Sequence, residues 1–225
     1  MALYTISDLH LSFSTDKPMD IFYGWDNHID RLTANWQRLV KPEDTVVLPG
    51  DLSWALKLEQ AHADFDFLNR LPGRKIILKG NHDLWWSTVK KMTEFFDKNK
   101  FDSIDIVFNN CVIAEDRCIC GTRGWFFDDR KNMKILNREA ARLEASIKAG
   151  LETKREIALF LHYPPVYDNR VCEPIFDVIK RYGIKQIYYG HIHGNGRNFA
   201  VNEYDGVKLK LVSCDCIDFV PYRIL

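Results

Sequence analysis

The sequence predicts an α/β domain in which short strands and helices alternate along the chain. Two observations support this. Five short runs are aliphatic, rich in β-branched residues and apolar at nearly every position, as strands buried on both faces are. Most of them precede a stretch with helical periodicity, which is the pattern of βαβ units in a layered domain. The five runs are residues 3–6, 45–48, 75–78, 156–161 and 186–189.

Helices are predicted between these strands, where apolar residues recur at spacings of three and four. The fourth helix is rich in Ala, Glu, Arg and Leu, and Gly150 just past it has the character of a helix stop. The helical stretches are residues 27–40, 54–69, 86–98, 137–149 and 173–182. Further short strands are predicted within residues 104–121, over 207–212 and over 214–220.

Length and composition indicate one folded domain over residues 1–225, because no stretch has the composition of a linker. Hydrophobic residues make up 46% of the chain, and 31 basic residues balance 31 acidic ones. This balance argues against a general nucleic-acid or membrane-surface binder, and leaves open a nucleic-acid substrate at one local patch. No apolar run has membrane-spanning length, and the N-terminus lacks a basic leader. Six cysteines in such a chain indicate reduced thiols in the cytoplasm.

Each of the five predicted strands is followed at once by possible metal ligands. Because ligands gather at the carboxyl ends of strands in α/β sheets, we expect these side chains to lie close together. A glycine precedes three of them, Asp51, Asn81 and His191, which predicts sharp backbone turns off the strands. The candidate ligands are Asp8, His10, Asp51, Asn81, His162, His191 and His193.

These residue types indicate a particular metal chemistry. Carboxylate, amide and imidazole ligands without thiolate suit Mn, Fe, Zn, Co or Ni with five or six ligands each. Seven ligands are too many for one ion. A carboxylate that bridges two ions about 3.5–4 Å apart gives the two-metal arrangement for in-line displacement at phosphorus. The set therefore predicts two divalent metal ions; a hydrolase that uses one ion and part of the set is the alternative.

Five ordered motifs resemble those of the calcineurin-like metallophosphoesterases. The resemblance extends from Asp8 to His193, which is most of the chain. It implies a four-layer α/β/β/α sandwich in which two mixed sheets pack face to face. The motifs are Asp-x-His at Asp8, Gly-Asp at Asp51, Gly-Asn-His-Asp at Asn81, a single His at His162, and Gly-His-x-His at His191.

The resemblance also implies a role for each residue. Asp51 would bridge two metal ions, and a hydroxide bridging the same ions would attack phosphorus. His82 would bind no metal; it would contact a phosphoryl oxygen or protonate the leaving group. Asp83 would orient that loop. The first ion would be held by Asp8, His10 and His193, and the second by Asn81, His162 and His191.

The residues around the motifs narrow the resemblance. Protein Ser/Thr phosphatases of this superfamily carry Asp-Arg-Gly soon after Gly-Asp, and Glu after Gly-Asn-His. Here Leu52 follows Asp51, and Asp83 takes the Glu position. The chain is more similar to the compact bacterial-type phosphoesterases, which include cyclic-nucleotide phosphodiesterases and nucleotide pyrophosphatases. This similarity implies a phosphodiester or a nucleotide-type small molecule as substrate.

Two further residues are candidates for substrate contact. Trp85 could stack on a nucleobase or an aryl ester, and packing in the core is the alternative. Arg123 could bring a guanidinium to a phosphate oxygen. It belongs to a basic segment, residues 117–155, with ten basic and five acidic residues. The alternative for this segment is a solvated helix face.

These features together predict a cytoplasmic, binuclear metal-dependent phosphoesterase that acts on a small-molecule phosphate ester. Neither a membrane nor a nucleic acid is the expected partner. The alternatives within the enzymes are a phosphomonoesterase or a nuclease at the same site. The alternative outside them is a non-catalytic interaction module, which would be expected to lack ligands, whereas all seven are present. Manganese is the metal of choice for an assay, and the oligomeric state is open.

Overall fold

The structure, a computed structural model, describes residues 1–125 and 133–225. Two mixed β-sheets pack face to face, and helices cover the outer face of each sheet. This is the four-layer α/β/β/α sandwich that the resemblance implied, so the prediction of the fold class is confirmed.

The first sheet has five strands, four of them parallel. Their order across the sheet is β13-β1-β2-β3-β4, with β13 antiparallel to β1. The strand β2 is Thr-Val-Val-Leu and is buried at every residue, as expected for a strand covered on both faces. The strands are β1 (Leu3–Thr5), β2 (Thr45–Leu48), β3 (Arg74–Ile77), β4 (Ile104–Ile106) and β13 (Tyr222–Arg223).

The second sheet has six strands in the order β11-β12-β10-β7-β6-β5. The four inner strands are parallel, and the two edge strands are antiparallel to their neighbours. The strands are β5 (Cys111–Ala114), β6 (Arg117–Thr122), β7 (Glu156–Leu161), β10 (Gln186–Tyr189), β11 (Glu203–Tyr204) and β12 (Val207–Leu211). A small hairpin of β8 (Val166–Tyr167) and β9 (Arg170–Val171) follows β7.

Within the described residues, five α-helices form the two outer layers. Apolar residues of the first three helices pack on the first sheet, and those of the last two pack on the second. No helix within the described ranges is long and apolar enough to cross a membrane. The helices are α1 (His28–Leu39), α2 (His62–Arg70), α3 (Val89–Asn99), α4 (Met133–Glu152) and α5 (Glu173–Arg181).

A separate apolar layer joins the two sheets. Leu3, Val47 and Ile76 of the first sheet meet Ile119 and Phe160 of the second, and all five are fully buried. Burying one such side chain contributes roughly 1.5–3 kcal/mol to stability. This layer fixes the carboxyl ends of the parallel strands of both sheets along one edge of the sandwich.

Three local predictions are wrong. The second helix begins at His62 instead of at 54, because Ser53 forms a bridge with Leu11, whose carbonyl accepts from Trp54 N at 2.9 Å, and residues 56–61 form bends and turns. The segment 214–220 is not a strand; Cys214–Ile217 form a 3₁₀ turn. Gly150 does not stop α4, which continues to Glu152. A Cβ at Gly150 would lie 2.5 Å from Cys120 Sγ, so this glycine permits close packing of α4 on β6.

Candidate metal centre

The seven predicted ligands meet at the carboxyl ends of five parallel strands. From the first sheet, the loops after β1, β2 and β3 supply three carboxylate or amide groups and one histidine. From the second sheet, the loops after β7 and β10 supply three histidines. Because the two sheets face each other, these loops converge on one cavity from both sides. Asp8, His10, Asp51 and Asn81 come from the first sheet, and His162, His191 and His193 from the second.

One group of ligand atoms is formed by Asp8, His10 and His193, hereafter the first cluster. Their ligand atoms all lie within 4.8 Å of one another. The two Nε2 atoms of His10 and His193 face each other at 3.4 Å, and Asp8 Oδ1 lies 3.3 Å from His193 Nε2. Two imidazole nitrogens and a buried carboxylate converging in this way fit the donor set of a divalent metal ion.

The second cluster is formed by Asp51, His162 and His191, again with ligand atoms within 4.8 Å of one another. Asn81 joins them, because its Oδ1 lies 2.7 Å from His162 Nε2 and 2.8 Å from His191 Nδ1. An amide oxygen, a carboxylate oxygen and two imidazole nitrogens thus point at one volume. This donor set also fits a divalent ion.

Asp51 lies between the two clusters. Its Oδ2 is 3.4 Å from His162 Nε2 in the second cluster and 3.9 Å from His10 Nε2 in the first. Its Oδ1 accepts a hydrogen bond of 2.8 Å from the backbone N–H of His82. One oxygen is therefore held by the protein, and the other faces both clusters.

Outer contacts orient the histidine rings. His162 Nδ1 lies 3.0 Å from the carbonyl oxygen of Pro49, so Nδ1 donates, and Nε2 is the nitrogen that faces the cluster and can bind an ion once it loses its proton. His193 Nδ1 lies 2.8 Å from Asp215 Oδ1, and Asp215 Oδ2 accepts from Gly194 N at 2.8 Å. A carboxylate behind a histidine ligand is typical of metal sites, because it fixes the tautomer and increases the basicity of the ring.

Sequence reasoning missed Asp215 and Ser213. Asp215 lies in the 3₁₀ turn Cys214–Ile217 that was predicted as a strand, and Ser213 Oγ donates to Asp8 Oδ2 at 3.0 Å. The available signal was a carboxylate in Ser-Cys-Asp-Cys shortly after a predicted strand of the second sheet, the same position that the other ligands occupy.

The backbone is strained at four of the predicted ligands. The φ angles of Asp8, His10, Asp51 and His191 are 61°, 46°, 51° and 71°, in the left-handed region that residues with a side chain rarely adopt. Each such residue costs of order 1–3 kcal/mol, and such strain clusters at functional sites. At His191 the turn off β10 allows two alternate residues, His191 and His193, to face the same volume.

Two of the three glycines before the ligands are needed because they lack a side chain, and not because the backbone turns there. Gly50 has a φ of 97°, as predicted, but Gly80 and Gly190 have ordinary φ values. A Cβ at Gly80 would lie 2.1 Å from Asp51 Oδ1, and one at Gly190 would lie 2.2 Å from Asp8 Oδ2. These two glycines therefore leave room for the carboxylates.

Asp83 ties two ligand loops together. Its fully buried carboxylate accepts from Gly80 N at 2.7 Å and from Asp51 N and Leu52 N at 2.9 Å each. Burial, followed by the nearby charge of Asp51, raises the pKa of Asp83 to about 6. These contacts support the expectation that Asp83 orients the loop that carries Asn81.

The first cluster pairs a neutral histidine with a protonated one. Burial lowers the pKa of His10 to about 4. Burial acts in the same direction on His193, but hydrogen bonds to Asp215 and Asp8 outweigh it and raise the pKa of His193 to about 10. The same contact with His193 holds the pKa of Asp8 well below its usual range despite the burial of that carboxyl.

The second cluster repeats this arrangement. Burial, reinforced by the charge of His162, lowers the pKa of His191 to about 4. His162 is fully buried as well, but the charge of Asp51 and a hydrogen bond to it raise the pKa of His162 to about 9. Each cluster therefore holds one proton that a metal ion must displace.

Both clusters open into a cavity of about 410 Å³ with an apolar wall beside the ligands. Trp54 stacks on His10 with ring centroids 4.8 Å apart and also contacts His82 at 4.5 Å. His82 is exposed and lines the cavity. Among the described residues that line it, none is Lys or Arg. The apolar wall consists of Met19, Phe22, Tyr23, Trp25 and Trp54.

The two predicted substrate contacts lie elsewhere. Trp85 is 2% exposed, packs on Phe65 with centroids 4.9 Å apart, and donates from Nε1 to Asp83 Oδ1 at 3.0 Å. The prediction that Trp85 contacts substrate is therefore wrong, because its ring belongs to the core beneath the ligand loops. Arg123 lines a second cavity and not the one that holds the ligands. Residues 126–132 of the basic segment lie outside the described residues.

Comparisons with known proteins agree with this geometry. A model of the family described as calcineurin-like phosphoesterase matches residues 1–195. A protein of unknown function from Aquifex aeolicus has a similar structure, with a TM-score of 0.55 and 20% identity over 99% of this chain and 95% of that one. The phosphopantetheinyl hydrolase of Mycobacterium tuberculosis is similar with a TM-score of 0.53 and 16% identity, over 100% and 95%. At these identities the two likenesses show the fold. No curated protein gives a match.

Proposed function

The chain belongs to the calcineurin-like phosphoesterase family and is a metal-dependent phosphoester hydrolase, and on that premise we propose that it uses one divalent ion in each cluster to hydrolyse a phosphodiester with an apolar ester group. The position of Asp51 carries this proposal. A carboxylate oxygen that faces both ligand clusters is what a binuclear centre requires. A site for a single ion would need only one of the two clusters.

The chain's own groups supply positioning and charge. When bound, the two ions would supply an activated water and neutralise negative charge on the phosphoryl oxygens. Asp51 lies between the two clusters and sets their relative position. Asp83 holds Asp51 in place by accepting from its backbone N–H. Because the ligand atoms sit on strand ends fixed by the layer between the sheets, little reorganisation is needed on substrate binding.

His82 is the proposed proton donor to the leaving oxygen. Its backbone N–H is anchored on Asp51 Oδ1, and its exposed ring lines the cavity without joining either cluster. A group in this position can reach a substrate oxygen while the ligands remain in place. Proton transfer from a positioned side chain typically contributes about 10²–10⁴-fold to the rate.

The composition of the cavity supports a diester over a monoester. A phosphomonoester carries up to two negative charges, whereas a diester carries one. The described cavity lining offers aromatic rings and no Lys or Arg to match a second charge. The ring of Trp54 lies next to both His10 and His82, so an aryl or base-like ester group can stack there beside the reacting atoms.

Hydrolysis by the manganese-loaded protein tests the proposal. We expect bis(p-nitrophenyl) phosphate to be hydrolysed with a higher kcat/KM than p-nitrophenyl phosphate, and EDTA to remove the activity. Asp51→Asn, which keeps the size of the side chain, serves as the blank. A preference for the monoester would contradict the diester assignment, and turnover that survives in Asp51→Asn would contradict the bridging role of Asp51.

The role of His82 has its own test. His82→Ala is expected to keep both metal ions and to lose about 10²-fold or more in kcat on a diester with a poorly acidic leaving group. The loss is expected to shrink when p-nitrophenolate leaves, because that group needs little protonation. Equal losses on both substrates would assign His82 to phosphoryl binding instead of proton transfer.

A further inference from the structure

A second cavity lies beside the metal centre along the same edge of the sandwich. It has a volume of about 300 Å³ and is lined by residues that follow β3 and β4, by the end of β6 and by one face of α4. Strand β3 leads into the loop of Asn81, and β6 pairs with β7, which ends just before His162. Among the described residues, the two cavities share no lining side chain. The second cavity is thus a neighbour of the metal centre and a separate volume.

Positive charge dominates the lining of this second cavity. Four cationic side chains, Lys79, Arg123, Arg138 and Arg142, line it with one carboxylate, Glu139. Glu139 is fully buried and is paired with Arg142 Nη1 at 2.6 Å, whereas Arg123 Nη2 and Arg138 Nε lie 3.8 and 4.0 Å from it. One carboxylate cannot balance four cations. The described lining therefore carries an excess of three positive charges.

Two buried N–H donors of the same lining have no acceptor among the described residues. Arg123 Nε and Trp86 Nε1 are both shielded from solvent, and neither has a hydrogen-bond partner in the described chain. Leaving a buried donor unpaired is costly, and most such groups in folded proteins have a partner. Both donors belong to residues that line the cavity, the volume in which an acceptor could bind.

Aromatic rings hold two of the guanidinium groups. Arg123 Cζ lies 4.5 Å from the centroid of Trp125, and Arg142 Cζ lies 5.2 Å from that of Phe108. Stacking of this kind fixes the plane of a guanidinium before a ligand arrives. The site is therefore preorganised for a planar, bidentate contact, which is the contact that guanidinium groups make with phosphate and carboxylate oxygens.

We propose that this second cavity, hereafter the oxyanion pocket, binds a phosphate-type dianion. The excess charge, the two unpaired donors and the stacked guanidinium groups each require an acceptor rich in negative oxygens. The volume exceeds that of a single phosphate, so the anion can be a free ion or a phosphate group of a larger molecule. The pocket is separate from the metal centre and does not depend on catalysis for its function.

Titration calorimetry with inorganic phosphate on the full chain, in EDTA at pH 8, tests the pocket. Arg138→Gln is the mildest variant, because Arg138 is 55% exposed and makes no close contact with Glu139. We expect it to weaken phosphate binding severalfold, and Arg123→Gln to weaken it about tenfold or more, as for lost charge-assisted hydrogen bonds. Circular dichroism melts check that both variants fold.

Arg181→Gln is the matched control. Arg181 is 59% exposed on α5, pairs with Glu144 and does not line the pocket, so the substitution removes the same charge at similar exposure. Its phosphate affinity is expected to stay within about twofold of that of the parent protein. Equal weakening in Arg181→Gln and Arg138→Gln would overturn the proposal, since it would indicate attraction by net charge alone.

His193→Ala separates the pocket from the metal centre. Without a metal ion, phosphate could pair with the protonated histidines of the two clusters. Loss of phosphate binding in His193→Ala with none in Arg138→Gln would place the anion at the metal centre and overturn the proposal. Because this readout needs no turnover, it stands apart from the proposed hydrolase activity and its failure.

A second arm distinguishes the two sources of the anion. The substrates are the p-nitrophenyl ester of thymidine 5′-phosphate with and without a 3′-phosphate. A rise in KM for the bisphosphate alone in Arg138→Gln would assign the pocket to a second phosphate of the substrate. Unchanged KM values, with free phosphate altering kcat in the parent and not in Arg138→Gln, would assign it to a separate anion. Both results require the pocket.

Discussion

Each ligand cluster contains one carboxylate and two imidazoles, with the amide of Asn81 added in the second, but the two are held in place by different parts of the chain. In the first cluster His193 is 31% exposed at its side chain and is oriented by the carboxylate of Asp215. In the second, His162 is fully buried and is oriented by the backbone carbonyl of Pro49. A backbone carbonyl held by the fold has little freedom to move, whereas a side-chain carboxylate can adopt other rotamers. We therefore infer that the first cluster is the one whose metal affinity can be tuned separately.

The largest expected effect concerns the residue that the two clusters share. Asp51→Asn should lower the content of both metal ions and reduce kcat/KM on a diester by about 10³-fold or more, since several kcal/mol of transition-state stabilisation depend on both ions. Asp8→Asn, a substitution of the same size, should lower the content of one ion only. Metal analysis of the dialysed proteins measures both.

An equal metal content in Asp8→Asn and Asp51→Asn would break the comparison, because it would show that the two clusters bind as one unit. Unfolding curves are the control. Asp8 also accepts from His191 N at 3.0 and 3.1 Å and from Ser213, so its variant must be shown to fold before its metal content is interpreted.

Asp215 gives the next largest effect and acts on one cluster. Asp215→Asn should weaken metal binding at the first cluster by about 10–100-fold, the usual cost of losing a carboxylate behind a histidine ligand. The second cluster should keep its affinity. Competition with a chromophoric chelator resolves the two binding steps, and Asp218→Asn, an exposed carboxylate three residues along, is the matched control. Weakening at both clusters would mean that Asp215 supports the whole fold of the site.

The two clusters also show which residues of the site could be predicted from the sequence. The seven proposed ligands were predictable because each lies within a few residues of a strand end, so a short motif and the strand order are enough to place it. Asp215 was not, because its segment had the apolar alternation of a strand and its partner His193 lies 22 residues away. Its role arises only when the turn Cys214–Ile217 folds against the loop after β10.

Residues that depend on packing between layers could not be placed from the sequence. Trp54 and Trp85 both flank a motif, yet Trp54 lines the cavity and Trp85 lies in the core. The difference comes from the bridge between Leu11 and Ser53, which places Trp54 at the cavity, and from the bends and turns that follow it before α2 begins at His62. Periodicity alone predicted helix there, because it does not register a pairing between distant segments.

The next effect is smaller, concerns the pH dependence of metal binding, and is expected at both clusters alike. In the metal-free chain at pH 7.5, His193 and His162 carry protons because their pKa values are about 10 and about 9, whereas His10 and His191, with pKa values of about 4, are neutral. Metal binds deprotonated imidazole, so loading both clusters should release about two protons and affinity should rise with pH. Calorimetry in two buffers of different ionisation enthalpy counts these protons.

The stability of the metal-free chain should respond to pH in the opposite direction. A histidine whose pKa is raised in the folded state stabilises it fully below its unfolded pKa near 6.5, and this contribution is lost as the pH rises through 9 to 10. The melting temperature in EDTA should therefore fall between pH 8 and 10, more than with metal bound. If metal loading releases about one proton instead of two, the two clusters differ in their protonation.

The smallest expected effect concerns the apolar wall, which adjoins the first cluster through the stack of Trp54 on His10. Trp54→Leu should raise KM for bis(p-nitrophenyl) phosphate by about fivefold and leave kcat nearly unchanged, as for the loss of one aromatic contact worth about 1 kcal/mol. Methyl p-nitrophenyl phosphate, which keeps the leaving group but lacks the second ring, is the matched substrate and should show a smaller change. If kcat falls equally on both diesters, the indole positions His10 or His82 instead of binding substrate, and the apolar wall then acts on catalysis through those rings.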